Sequence, residues 1–77
     1  MNSKMLGNSI KTIRQIKGIS QDAMALALNI SQPAYSKIES GAIVLSDERK
    51  EIIAKMLNVS IEKLGTFDVN DFFKAVV

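Results

Sequence analysis

The stretch Ser20–Gly41, SQDAMALALNISQPAYSKIESG, decides how this chain is read. It divides into two short helices and a tight joint. Ser20 stands where an N-cap belongs, its hydroxyl able to accept from an early backbone N–H, and Met24, Ala25 and Leu28 follow at helical spacing. Asn29, Ile30 and Ser31 interrupt that helix. Asn tolerates the left-handed conformation of a sharp exit, Ile30 can fill the corner, and Ser31 can cap a second helix. Pro33 suits a first turn, because the N–H it lacks would have had no intrahelical partner, and Tyr35 and Ile38 give an apolar i, i+3 pair facing inward. Gly41 supplies the positive φ that ends the helix.

Working outward, Leu6, Ile10 and Ile13 repeat at i, i+4 and i+7 and predict an amphipathic helix over 6–16, preceded by a frayed lead-in in which Met5 touches the core. Gly18 stops it, with Lys17 in the last turn, where a cation suits the negative end of the helix dipole. Beyond Gly41 the loop 42–46 is unusually apolar in Ile43, Val44 and Leu45, so at least Leu45 should be buried. Ser46 or Asp47 then caps a fourth helix with Ile52, Ile53, Met56 and Leu57 inward and Asn58 at its end. Ser60 caps a short fifth helix through Lys63 or Leu64. The four glycines read as helix stops. The tail, TFDVNDFFKAVV, fits a short helix from Asn70 or a strand, since Val and Phe favour strands and the piece is too short for its period to decide.

The expected architecture is therefore all-α: a five-helix bundle over 1–66 with an apolar C-terminal tail over 67–77. At 77 residues the chain holds one domain. Aromatics are only 5 % of it, so the core must be built from Ile, Leu, Met and Ala. There is no Cys and no His, which excludes disulfides, zinc fingers, thiol chemistry and imidazole base catalysis. The clustered carboxylates Asp47, Glu48 and Glu51 sit at a helix start, where they favour the helix, and no GxxxxGK[ST] phosphate loop is present. No enzyme, cofactor or metal is expected. Without a long apolar run at the amino terminus, no signal peptide or membrane span is expected either, and the expected location is cytoplasmic. The net charge of +2 says little by itself, but residues 1–41 carry five basic against two acidic side chains and residues 42–77 five against six. The positive field lies with the paired helices.

The run SQ, then MA, a short joint, then SQxxYSKIESG resembles the Cro and phage-repressor type of helix-turn-helix, the Xre-like family. The resemblance begins at IKTIRQIKGIS, continues through NVSIEKLG and fades after Gly65. It implies a sequence-specific double-stranded DNA binder and transcriptional regulator, acting as a repressor, in which the helix 32–40 enters the major groove while the first helix of the pair crosses the backbone. Gln32 is the leading candidate for base reading, because a glutamine can bond an adenine edge through both ends of its amide. Gln21 can reach a phosphate, and the resemblance implies that it also braces Gln32. Lys37 faces outward one turn beyond Pro33 and reaches a guanine or a phosphate, or is simply a solvated lysine. Ala34 can meet a thymine methyl, and Ser36 can bond phosphate or base. Ser31 and Ser40 offer phosphate bonds but are equally explained by capping, and Lys17 is a candidate phosphate contact. Pro33 departs from the polar residue of several relatives and must act by apolar fit. Tyr35 belongs on the core side rather than stacking on a base, with only its hydroxyl wet. The resemblance further implies a structural ion pair between Arg14 and Glu39. A lone recognition helix reads too few base pairs, so a homodimer on an inverted-repeat operator is expected, its interface drawn from Leu64 and the tail. The alternatives are a tail that completes the core, and an antitoxin or protein-interaction module with a protein partner.

Overall fold

Each helix begins on a side chain that accepts one of its orphan N–H groups. In the computed structural model, which describes residues 2–66, Asn2 Oδ1 accepts from Met5 N at 2.8 Å and Ser20 Oγ from Ala23 N at 3.0 Å. Ser31, Ser46 and Ser60 do the same for Ala34, Arg49 and Lys63, each at 3.2 Å. The helices so started are α1 (Ser3–Ile16), α2 (Gln21–Leu28), α3 (Gln32–Glu39), α4 (Asp47–Leu57) and α5 (Ile61–Thr66). No strand occurs among the described residues. Each cap contributes about 1 kcal/mol, which matters in helices of six to fourteen residues that are marginal alone. The α2 and α4 exits turn on Asn29 and Asn58, both left-handed at φ 57° and 55°. No helix of the described residues is long and apolar enough to cross a membrane.

Each helix packs chiefly on two others: α1 touches α3 and α5, α2 packs on α3 and α4, and α4 packs on α5. Ile10, Met24, Tyr35, Ile53 and Leu57 are wholly buried, with Ile13, Ile38 and Leu64 nearly so, which gives one core drawn from all five helices. In the loop after α3, Leu45 turns into that core and Val44 turns out.

Several expectations are corrected. Residues 3–5 are helical rather than frayed, because Asn2 provides the cap that sets the start of α1, and Met5 lies on the outer face, 54 % exposed. The fifth helix runs on to Thr66. Ile52 and Met56 are half-buried at the edge of the core, and Leu64 is inside the core rather than available to a second copy. The Tyr35 hydroxyl is buried, not wet. The alternatives for the tail lie outside the described residues.

Only two of the four glycines stop helices. Gly18 and Gly41 take positive φ, 70° and 84°, whereas Gly65 lies inside α5 and Gly7 inside α1. Gly7 is a docking point: a Cβ there would lie 2.5 Å from the carbonyl oxygens of both Ile38 and Glu39. The missing side chain lets α1 rest on the end of α3. Gly7→Ala should therefore destabilise the protein by about 2 kcal/mol or more in urea melts, although alanine is the better helix former by about 1 kcal/mol. Gly18→Ala, in open space, should lose only the cost of a left-handed alanine, about 1–2 kcal/mol. Equal losses at the two positions would contradict the close approach at Gly7.

Candidate nucleic-acid interface

The candidate surface is assembled by α2, α3 and the turn that joins α1 to α2. Arg14, in the last turn of α1, is 8 % exposed and points toward the end of α3. Its Nε donates to Glu39 Oε2 at 2.6 Å and its Nη2 to Glu39 Oε1 at 3.1 Å, a bidentate pair, while Nη1 donates to the Ile19 carbonyl at 2.8 Å. A planar guanidinium can meet all three acceptors at once, which a lysine could not. Glu39 is 6 % exposed, so this is a buried ion pair between residues 25 apart in sequence.

The same carboxylate binds α2. Gln21 Nε2 donates to Glu39 Oε1 at 3.0 Å, and Gln21 Oε1 accepts from Gln32 Nε2 at 2.6 Å. Gln21 is half-buried and Gln32 is exposed at the first residue of α3. A chain of bonds thus runs from the interior, Arg14 to Glu39 to Gln21, and ends on Gln32 at the surface. Burial alone would raise the Glu39 pKa, but hydrogen bonds from Arg14 outweigh it and hold the carboxyl below its ordinary range, with help from Tyr35 and Gln21. The Tyr35 hydroxyl makes no well-formed hydrogen bond, yet it lies close enough for its O–H dipole to favour the ionised carboxylate. Burial, and then Glu39, keep that phenol protonated.

The remaining candidate residues divide by exposure. Pro33 and Lys37 are exposed one turn apart on α3, beside Gln32. Ala34 and Ser36 are half-buried and offer less surface than their positions suggest. Ser31 spends its oxygen on the α3 cap, and Ser40 donates to the Lys37 carbonyl at 3.1 Å, so both serve the helix ends. Lys17 is exposed on the turn after α1. The bond between Gln21 and Glu39, the Ile19 carbonyl as a third acceptor for Arg14, and the role of Gly7 had no sequence signal, since each depends on how helices distant in the chain approach.

The helix-turn-helix family matches residues 10–64, which spans all of α2, α3 and α4 and the bonded chain described above. The chain belongs to the Xre/Cro-like helix-turn-helix DNA-binding family. It is 32 % identical over 65 residues to the uncharacterized HTH-type transcriptional regulator YazB of Bacillus subtilis (strain 168), which covers 84 % of this chain and 94 % of that relative. No solved structure matches. In helix-turn-helix terms, α2 and α3 are the paired helices, and the Arg14–Glu39 pair ties the preceding helix to the end of the second of them.

Two predictions follow from the buried pair. Arg14→Met and Glu39→Met should each cost about 3–5 kcal/mol by stranding the partner charge, while the double variant recovers part of the loss; simple addition in denaturant melts would mean the charges do not interact. Because the folded-state pKa of Glu39 is depressed, its contribution is complete above the unfolded value near 4.3 and is lost as pH falls through the folded value. Stability should therefore fall less steeply from about pH 5 to pH 3 in Glu39→Gln than in the wild type. Identical slopes in urea melts across that range would contradict the assignment.

Proposed function

We propose that the chain is a sequence-specific double-stranded DNA-binding repressor that lays α3 in the major groove, with α2 across the phosphate backbone. What supports this best is the state of Gln32. Its Nε2 is engaged by Gln21, so its Oε1 and one remaining N–H are left facing outward from the exposed head of α3. That pair, one acceptor and one donor, matches the N6–H and N7 of adenine in the major groove. The site is held before DNA arrives, because the chain to Arg14 fixes the side chain, and ordering it on binding costs less. Gln21 retains one N–H for a phosphate, and Lys17 and Lys37 add positive charge at the turn and on α3. The relationship to a protein named as an HTH-type transcriptional regulator agrees with this reading.

One α3 presents few base-reading groups, so the operator is an inverted repeat bound by a homodimer with half-sites about one helical turn apart. Occupying it excludes polymerase. Selection from a random duplex library should recover such a repeat. Gln32→Ala should then weaken specific binding by about 1–3 kcal/mol and relax preference at one position per half-site. Lys17→Ala should instead lower affinity for all sequences alike and reduce the salt slope by about 1. If Gln32→Ala weakened specific and random DNA equally, its base-reading role would be lost.

A further inference from the structure

We infer that Glu39, which does not reach the exposed surface of α3, sets the base preference of the protein by fixing which end of the Gln32 amide faces the DNA. The inference rests on the base-reading role of Gln32 proposed above and adds the cause of its polarity. A glutamine amide is nearly symmetric in shape, and turned end for end it would present donors where it now presents an acceptor. Presenting Oε1 and one N–H suits adenine; presenting only N–H groups suits guanine, whose N7 and O6 are both acceptors.

The bonded chain removes that ambiguity one link at a time. An ionised carboxylate only accepts, so the end of Gln21 that meets Glu39 Oε1 at 3.0 Å must be Nε2. Oε1 of Gln21 is thereby turned toward Gln32 and, as an acceptor, takes Nε2 of that residue at 2.6 Å. Only Oε1 and one N–H of Gln32 then remain for a base. Reversing Gln32 alone would set two amide oxygens against each other, and reversing both amides would aim the Gln21 oxygen at the carboxylate. Arg14, all of whose groups donate, holds the carboxylate in place from the other side through both of its oxygens.

Replacing Glu39 by glutamine reverses the chain. The stronger of the two Arg14 contacts, Nε to the position of Oε2 at 2.6 Å, keeps an oxygen there, so the amide nitrogen of residue 39 takes the Oε1 position, where it gives up the longer Arg14 Nη2 contact at 3.1 Å and faces Gln21. Gln21 must then turn its oxygen inward and its nitrogen toward Gln32, which turns in its own right and offers N–H groups to the groove. Gln21→Met breaks the chain while both Arg14 bonds to the carboxylate remain, and leaves the Gln32 amide free to take either orientation.

The test is duplex selection, followed by titration of adenine and guanine operators, with the full-length wild type, Gln32→Ala, Gln21→Met and Glu39→Gln. At the position relaxed by Gln32→Ala, the wild type should favour adenine over guanine by about tenfold or more. Gln21→Met should bring the two bases within about threefold, and Glu39→Gln should invert the order, while preferences at other positions stay as they are. Overall affinity falls in Gln21→Met through its phosphate bond, but the ratio at one position is not moved by that loss or by general loosening of the fold. Should Glu39→Gln fail to give the wild-type helical spectrum, Gln21→Met decides alone. Wild-type adenine preference in Gln21→Met, or in a folded Glu39→Gln, overturns the inference while leaving Gln32 as a base reader. A wild type with no position that depends on Gln32 overturns both.

Discussion

A single buried negative charge, the Glu39 carboxylate, holds the arrangement together. Three elements converge on it: α1 through Arg14, α2 through Gln21, and α3, which carries it. Burying a carboxylate is costly unless it is paired and its lone pairs are met, and here two groups of Arg14 and one of Gln21 meet them. A pair of apolar residues could fill the same space with equal stability, as buried ion pairs elsewhere show. What an apolar pair could not do is fix direction. Hydrogen bonds to a carboxylate have a sense, donor toward acceptor, and that sense passes along the chain to the exposed amide of Gln32.

The pair also requires that α1 and α3 lie close, and the backbone provides for it. Gly7 removes the side chain that would strike the Ile38 and Glu39 carbonyls, and Gly41 allows the loop after α3 to approach Lys4, whose Cα a side chain at position 41 would meet at 2.5 Å. These two approaches bracket the end of α3 from one side while Arg14 grips it from within. The angle of α3 relative to the rest of the core is therefore set at its carboxyl end, leaving its amino end, with Gln32 and Pro33, outside. In the docking proposed above, fixing the helix at this end keeps the reading end rigid without covering it.

Much of this was legible in the chain because it depends on local rules. The serine caps at 20, 31 and 60, a cap at Ser46 or Asp47, the left-handed exit at Asn29, the helix end at Asn58 and the inward spacing of Met24, Leu28, Tyr35 and Ile38 are all decided by residues within a few positions of each other. The Asn2 cap was missed because no apolar repeat runs up to it, and Leu6 was the first residue to show the period. Gly7 was misread for a different reason: a glycine within a helix has the same sequence signature as one that ends it, and only the approach of α3 tells them apart. The wet hydroxyl assigned to Tyr35 failed similarly, since periodicity gives the face a ring occupies but not how deep its tip lies. Arg14 and Glu39 were suggested by resemblance rather than by spacing, as a contact between residues 25 apart must be.

The surface that the proposed docking leaves for reading DNA is small, which is why polarity at one amide would matter. Pro33 has neither a polar side-chain atom nor a backbone N–H, Ala34 and Ser36 are half-buried, and Ser31 and Ser40 are occupied at the helix ends. On α3 this leaves Gln32 and Lys37 as the exposed polar side chains that can reach bases. A lysine is a flexible point charge that discriminates among acceptors poorly, whereas an amide with fixed ends distinguishes a donor from an acceptor. On the proposed reading, discrimination within a half-site then falls mostly on Gln32. A protein with so few reading groups gains selectivity in two ways, by holding the one good group rigidly and by reading the site twice. The bonded chain from Arg14 supplies the first, and the symmetric dimer proposed above would supply the second.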